Sequence, residues 1–389
     1  MNILLELTTI NYIIYHSLAK RLAEIYPGSK FAVILGAHGS DALKYLQEQR
    51  DIKYEFIYFH QELRKNAFES DIDYGELESF EKSLAPKSLW RLIAADRGLG
   101  YQFMHGVVFQ KSFLSQSSTH ENILRVFSGL LKQYRTIFHE YKTNIFLPAI
   151  AMGGIDVFIF EQICKEMKIP YIVPSNVRVK NLFAFSSDVQ LRFSHIDDTC
   201  KALIEGRIVL DISKAEVLYN ELIGELKDPQ YFDRMNSRFN IVYFNSFLSK
   251  LKLMLAGVKS IMGELLGWYR TRKLRRSDDI RRQPNNISTL FSNISIGLRS
   301  LYQKYVLTNS KFSTPLKKDQ KYIYYPLHIN PEYSTQIQGT MWLDQSHLVE
   351  LLAKSIPFDW KVLVKEHPGT LVARVRPLSF YKKLKKDRK

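Results

Sequence analysis

A chain of 389 residues with 46% hydrophobic and 13% aromatic content is globular, is too long for one ordinary core, and excludes a disordered protein. Its two cysteines, Cys164 and Cys200, give neither a disulfide framework nor a metal-ligand spacing, as expected in a reducing compartment. The net charge of +16 asks for an anionic partner or surface. No RNP-like, KH-like or finger motif accompanies it, so no nucleic-acid partner is expected.

The chain opens with Ile3-Leu4-Leu5, a buried strand; Glu6 and the lack of a cationic lead argue against a signal peptide. A helix is predicted over 11–25, with Ile14, Leu18 and Leu22 on one face, then a strand over 31–35. The segment from Gly36 to Asp41 reads either as an anion-binding helix start or as a glycine-rich turn capped by Ser40 or Asp41. A helix over 42–49 and a strand over 54–59 follow, and this alternation predicts a Rossmann-like parallel sheet. Residues 61–119 are expected as an insertion over the rim of the sheet.

A long helix is predicted over 121–141, with Ile123, Val126, Leu130, Tyr134 and Ile137 aligned. Strands at 145–147 and 171–173 flank a helix over 157–167. No apolar run reaches the roughly 18 residues of a spanning helix. The nearest, 145–160, is broken by Pro148, Gly153, Gly154 and Asp156. Asp96, beside Arg97, and Asp156, after Gly153-Gly154, read as an ion pair and a helix cap, or as the carboxylate that activates an acceptor hydroxyl.

Helical patterns continue from Asp197. An amphipathic stretch over 247–269 carries Leu251, Leu255, Val258, Met262 and Leu265 on one face and runs into Arg270, Arg272, Lys273, Arg275 and Arg276. It is either a solvated helix with a charged linker or an interfacial helix on anionic lipid, with Trp268 and Tyr269 at the membrane boundary. The expected fold is therefore α/β: an N-terminal Rossmann-like domain at 1–229, a basic helical connector at 230–310 and a second α/β domain at 311–389.

The strongest functional signal lies at 322–368. Tyr322-Ile323-Tyr324-Tyr325 and Val362-Leu363-Val364 read as parallel strands around a helix with Leu343, Leu348, Leu351 and Leu352 on one face. In such a βαβ unit ligands bind beyond the carboxyl ends of the strands. His328 and Glu332 follow the first strand, and Lys365, His367 and Pro368 close the second, so both clusters share one rim. Lysine and histidine there are natural donors to phosphate and ribose oxygens. His367-Pro368 alone reads equally as a turn that stops the strand, and Glu332 as a helix-start carboxylate or a ribose acceptor.

The run PLHxxPE, followed by Gln345 in a helix and a strand ending in KEHP, resembles the second domain of capsule polysaccharide biosynthesis proteins. That family includes transferases of Kdo (3-deoxy-manno-octulosonic acid) that act on lipid-linked acceptors. The resemblance covers 322–381 and is looser upstream, at Trp90-Arg91, Asp96-Arg97 and Ile169-Pro170. It implies a glycosyltransferase of the GT-B type with two Rossmann-like domains and no cofactor beyond its nucleotide-sugar donor, such as CMP-Kdo. It also implies a lipid-linked or polysaccharide acceptor, capsule-assembly partners and a cytoplasmic position at the inner face of the inner membrane. His328, Glu332, Lys365, His367 and Pro368 would hold the donor, with Asp96 or Asp156 as the base. The tail departs from the pattern: only two clear strands follow residue 320 before the basic run 382–389. Either the chain is a truncated or frameshifted product or its last domain leans on something else, and the expected turnover is weak or nil.

Overall fold

The computed structural model describes residues 1–8, 11–36, 40–84, 88–96, 119–149, 154–177, 179, 182–224, scattered helical positions between 251 and 306, 319–329, 332–339, 342–367, 376 and 378–386. β1 (Asn2–Leu7), α1 (Tyr12–Ile25), β2 (Lys30–Leu35), α2 (Ser40–Glu48) and β3 (Tyr54–Phe59) alternate as the pattern predicts. With β4 (Ile145–Leu147) the strands form a parallel sheet in the order β3-β2-β1-β4. The strand expected at 171–173 is reduced to one parallel bridge between Tyr171 and Phe146. Val173 instead opens β5 (Val173–Asn176), which turns away and pairs antiparallel with β6 (Phe183–Ser186).

Strand alternation divides the core into two layers. Ile3, Leu5 and Leu7 of β1, with Phe31, Val33 and Leu35 of β2, pack on α1 and α2. The face of α1 that meets them is centred on Tyr15 and Ala19, with Leu18 and Leu22 partly buried and Ile14 exposed. Leu4, Ala32 and Ile34 face the other way, onto a thicker helical layer.

That layer comprises α3 (His60–Glu69), α4 (Tyr74–Ser83), α5 (Leu89–Ala95), α6 (His120–Glu140) and α7 (Ile155–Met167). The expected rim insertion at 61–119 is thus corrected for its described part: α3 to α5 cover a face of the sheet, because Leu63, Ala67, Leu77, Phe80 and Leu92 are core residues. All five aligned residues of α6 are buried. α3 and α6 approach so closely that a Cβ on Gly129 would lie 2.5 Å from Ala67 Cα. Beyond β6, α8 (Ser194–Ile204) and α9 (Ser213–Gly224) lie mostly exposed.

Near the C-terminus β7 (Tyr322–Pro326) and β8 (Lys361–Lys365) pair in parallel around α10 (Gln345–Ser355), and α11 (Leu378–Lys386) follows. The predicted leucine face of α10 is not its buried face. Gln345, Ser346 and Val349 are buried instead, and Leu351 is exposed, as are Tyr322 and Tyr324 of β7. A π-helical turn, Ser334–Gln338, joins this unit to the N-terminal half. Ile337 and Leu343 enter the helical-layer core, the turn packs on α5, and the Tyr333 hydroxyl donates to the Val189 carbonyl at 2.5 Å.

Gly129→Ala forces α3 and α6 apart at a backbone-to-backbone contact. The expected loss is about 1–3 kcal/mol, read as a lower urea midpoint with an unchanged denaturant slope.

Candidate functional site

Beneath the carboxyl ends of β1 and β4 lies a chain of buried polar side chains. Glu6 projects from β1 into the helical layer and is fully buried. Its Oε2 accepts the Ala149 N–H at 2.9 Å, just past β4, and its Oε1 lies 2.9 Å from His60 Nε2. His60 Nδ1 lies 3.0 Å from the Tyr134 hydroxyl, which donates to Asp156 Oδ1 at 2.7 Å. Arg64, one turn after His60 on α3, donates to Asp156 Oδ2. Tyr134 has one proton and gives it to Asp156, so both ring nitrogens of His60 are placed to donate.

Electrostatics follow from this geometry. Burial alone would raise the Asp156 carboxyl, but the Arg64 guanidinium, His60 and the Tyr134 hydroxyl outweigh it and hold the group below the usual carboxylate range. Burial, and then the Asp156 charge, push the Tyr134 phenol well up, so it stays a donor. Asp96, the C-cap residue of α5, sits beside this chain. Its Oδ2 accepts the Ile155 N–H at 2.9 Å, the first amide of α7. Gly154 lets both carboxylates in, since a Cβ there would meet Asp96 Oδ2 at 3.1 Å and Asp156 Oδ2 at 3.2 Å.

At the carboxyl ends of β7 and β8 the structure gathers His328, Glu332, Lys365 and His367. His328 and Lys365 are exposed; Glu332 and His367 are half-buried. The backbone of His328 is clamped by the buried Gln345 amide, which accepts its N–H at 2.8 Å and donates to its carbonyl at 3.2 Å. Buried Arg376 also donates to that carbonyl, pairs with Glu366 at 3.3 Å, and lies 5.1 Å from the centre of the Phe380 ring. Glu366 accepts the Tyr381 hydroxyl at 2.6 Å and the His367 N–H at 2.8 Å. Burial lowers the His367 pKa below the ordinary imidazole value; Glu332 and Glu366 oppose the shift, while His328 and Arg376 add to it. The N-terminus of α10, where an anion could bind, is already capped by Asp344, which accepts from Ser346 N and His347 N.

Pro368, Trp268, Arg272, Lys273, Arg275 and Arg276 lie outside the described residues, as does 37–39, the core of the glycine-containing turn after β2. Glu6, His60, Arg64, Tyr134, Glu366 and Arg376 were not singled out in the sequence as site residues, and Gln345 stood there only as a helix residue within the resemblance. One signal was present: a carboxylate between Leu5 and Leu7 in a strand buried on both faces requires a partner.

Fold and topology define a mixed α/β protein on a Rossmann-like parallel sheet, with a smaller parallel βαβ unit docked against it. Neither a protein-family model nor a curated protein sequence matches the chain. Among solved structures, UDP-GlcNAc 2-epimerase from Neisseria meningitidis bound to UDP-GlcNAc is similar at 12% identity and a TM-score of 0.25, over 97% of this chain and 75% of that one. A superposition that slight carries no argument about ligand or reaction. Among the described residues no helix is long and apolar enough to cross a membrane.

Asp156→Ala removes the carboxylate hydrogen-bonded to buried Arg64 and leaves only Asp96 nearby, with an expected cost of about 3–5 kcal/mol. The pH dependence has a definite sign. A depressed folded-state carboxyl stabilises the protein above the unfolded value near pH 4, and that stability is lost as pH falls through the folded value. Asp156→Asn is therefore less stable at neutral pH but loses less on further acidification, as urea titrations across pH 2–7 would show (about the range where carboxylates titrate).

Proposed function

We propose that this chain is a GT-B-type glycosyltransferase-like protein that binds a nucleotide sugar at the carboxyl ends of β7 and β8. The observation that carries this reading is the convergence of His328, Lys365 and His367 on one rim, with Gln345 and Arg376 fixing the His328 backbone beneath. A nucleotide leaving group develops negative charge as its sugar departs, and preorganised cationic donors lower that barrier. Glu332 accepts hydrogen bonds from the ribose or sugar hydroxyls. The resemblance at 322–381 narrows the donor to a sugar such as Kdo in its CMP-activated form. It narrows the acceptor to a lipid-linked or polysaccharide chain of capsule biosynthesis, with other capsule-assembly proteins as partners. A lipid-linked acceptor brings the reaction to the inner face of a membrane.

Asp96 takes the role of base toward the acceptor hydroxyl. Both oxygens of Asp156 are committed to buried Tyr134 and Arg64, which makes it a positioning residue. Asp96, whose Oδ2 accepts the Ile155 N–H, ends α5, the helix that packs against the π-helical turn following Glu332. A second reading, binding without turnover, draws support from one observation: the two-stranded β7–β8 sheet leaves Tyr322 and Tyr324 exposed. A parallel sheet of that size holds its rim less rigidly than a fully covered one.

Two outcomes test these readings. Calorimetric titration of CMP should give about tenfold or weaker affinity for His367→Ala than for the wild type. Because burial depresses the free imidazole and bound phosphate would raise it, binding takes up a proton. Affinity should therefore rise as pH falls from about 8 to 6, around the ordinary imidazole value. Equal affinity in both proteins, or release of a proton, overturns donor binding at this rim. In a transfer assay with CMP-Kdo and a lipid-linked acceptor, Asp96→Asn should lose at least about a hundredfold in kcat with CMP affinity unchanged. No turnover by the wild type, with CMP still bound, decides for the second reading.

A further inference from the structure

Two helical stretches flank the basic sequence at 270–289, and the structure describes positions in both. Those at 251, 255, 257–259, 261–263, 265–266 and 269 are helical, as are 290–291, 294–295, 298, 301–302 and 306. The stretches meet at Gly257, where an added Cβ would lie 2.8 Å from Leu301 Cδ1. Gly257 is buried, Leu290 is buried and Leu301 is half-buried, so this side of the pair is its own contact.

The apolar residues are elsewhere. Leu251, Leu255, Val258, Met262, Leu265 and Tyr269 recur every three or four residues, and each is 42–61% exposed. At 100° per residue Gly257 lies about 120° off the centre of that stripe, so the stripe does not face the second helix. On the second helix Phe291, Leu298 and Tyr302 are 66%, 49% and 61% exposed. An amphipathic helix in water normally turns its apolar stripe inward, and large exposed apolar faces mark interaction sites.

We propose that this helical pair seats the protein on an anionic lipid surface, with its apolar stripes at the acyl boundary. Charge selects this occupant over a second copy of the chain. The 270–289 sequence carries seven arginines and lysines against two aspartates, within a net charge of +16. A two-fold pairing through these helices would bring two such segments together, whereas anionic lipid neutralises them. The inference deepens the functional reading by naming the surface on which a lipid-linked acceptor is met, and its test does not depend on nucleotide binding.

The experiment is co-sedimentation of the full chain with vesicles of phosphatidylcholine alone and of phosphatidylcholine mixed with phosphatidylserine. Partition should be at least about tenfold stronger on the mixed vesicles and should fall steeply with salt. The double substitution L255D/M262D changes only exposed side chains, and it should lose at least about tenfold in partition while circular dichroism and CMP affinity stay unchanged. Failure to sediment with either vesicle, or sedimentation indifferent to the two substitutions, overturns the proposal. So does a dimer in light scattering without lipid that the same substitutions dissolve, which would assign the face to a second copy. Lost vesicle binding with CMP binding intact sinks this inference alone; the converse sinks only the nucleotide reading.

Discussion

The architecture depends on the burial of one carboxylate. Glu6 occupies a β1 position whose side chain points into the helical layer, where its neighbour two residues back, Leu4, is fully apolar and buried. An ion placed there costs several kcal/mol unless its partners are close and well aligned. His60 supplies one partner from the first turn of α3, which starts on the residue after β3 with no intervening loop. Arg64 lies one turn on and so shares that face, which brings it to Asp156 at the start of α7. Tyr134 of α6 closes the chain between them. Three helices are thereby set in register against the sheet by polar contacts that an apolar core, being non-directional, would not specify.

The C-terminal unit solves a different problem with the same kind of parts. Among its described residues, two strands with α10 and α11, few apolar side chains are fully buried. Shape on that rim comes instead from Gln345, whose amide replaces a strand neighbour by bonding both the N–H and the C=O of His328. Arg376 links the exit of β7, the exit of β8 and the first turns of α11 through His328, Glu366 and Phe380. The apolar contribution arrives from outside the unit, through Ile337 and Leu343 in the N-terminal core.

Much of the N-terminal half could be read directly. Strands flanked by 3.6-period helices gave β1 to β4 and the long α6, whose five aligned residues are all buried. The failures share a cause: local pattern says where apolar residues recur, not which neighbour covers them. Leu351 keeps helical spacing in α10 yet is exposed, while Gln345 is buried where its amide bonds the His328 backbone and Ser346 where it joins the Asp344 cap. Val173 continues an apolar run from Tyr171, but Pro174 lacks the N–H a central strand needs, and the chain leaves the sheet for β6. The rim residues His328, Glu332, Lys365 and His367 were legible because they follow strand ends. Their supports were not, since Arg376 is eleven residues past β8 in sequence and meets His328 only in the fold.

The contact between the two halves also bears on how a reaction could be organised. Tyr333 follows Glu332 directly, and its hydroxyl is anchored on the Val189 carbonyl, so the backbone leaving the C-terminal rim is pinned to the N-terminal half. Burial, reinforced by Asp188, Glu161 and Glu6, pushes the Tyr333 phenol up, which keeps it a neutral donor in that anchor. The π-helical turn that follows packs on α5, and α5 ends at Asp96. Displacing Glu332 by an ångström therefore strains either the Tyr333 anchor or the α5 contact. The proposed transfer between a donor on one rim and an acceptor on the other requires that kind of fixed separation. The short path from Glu332 through Tyr333 and the turn to α5 and Asp96 supplies it without requiring the β7–β8 sheet to be rigid by itself.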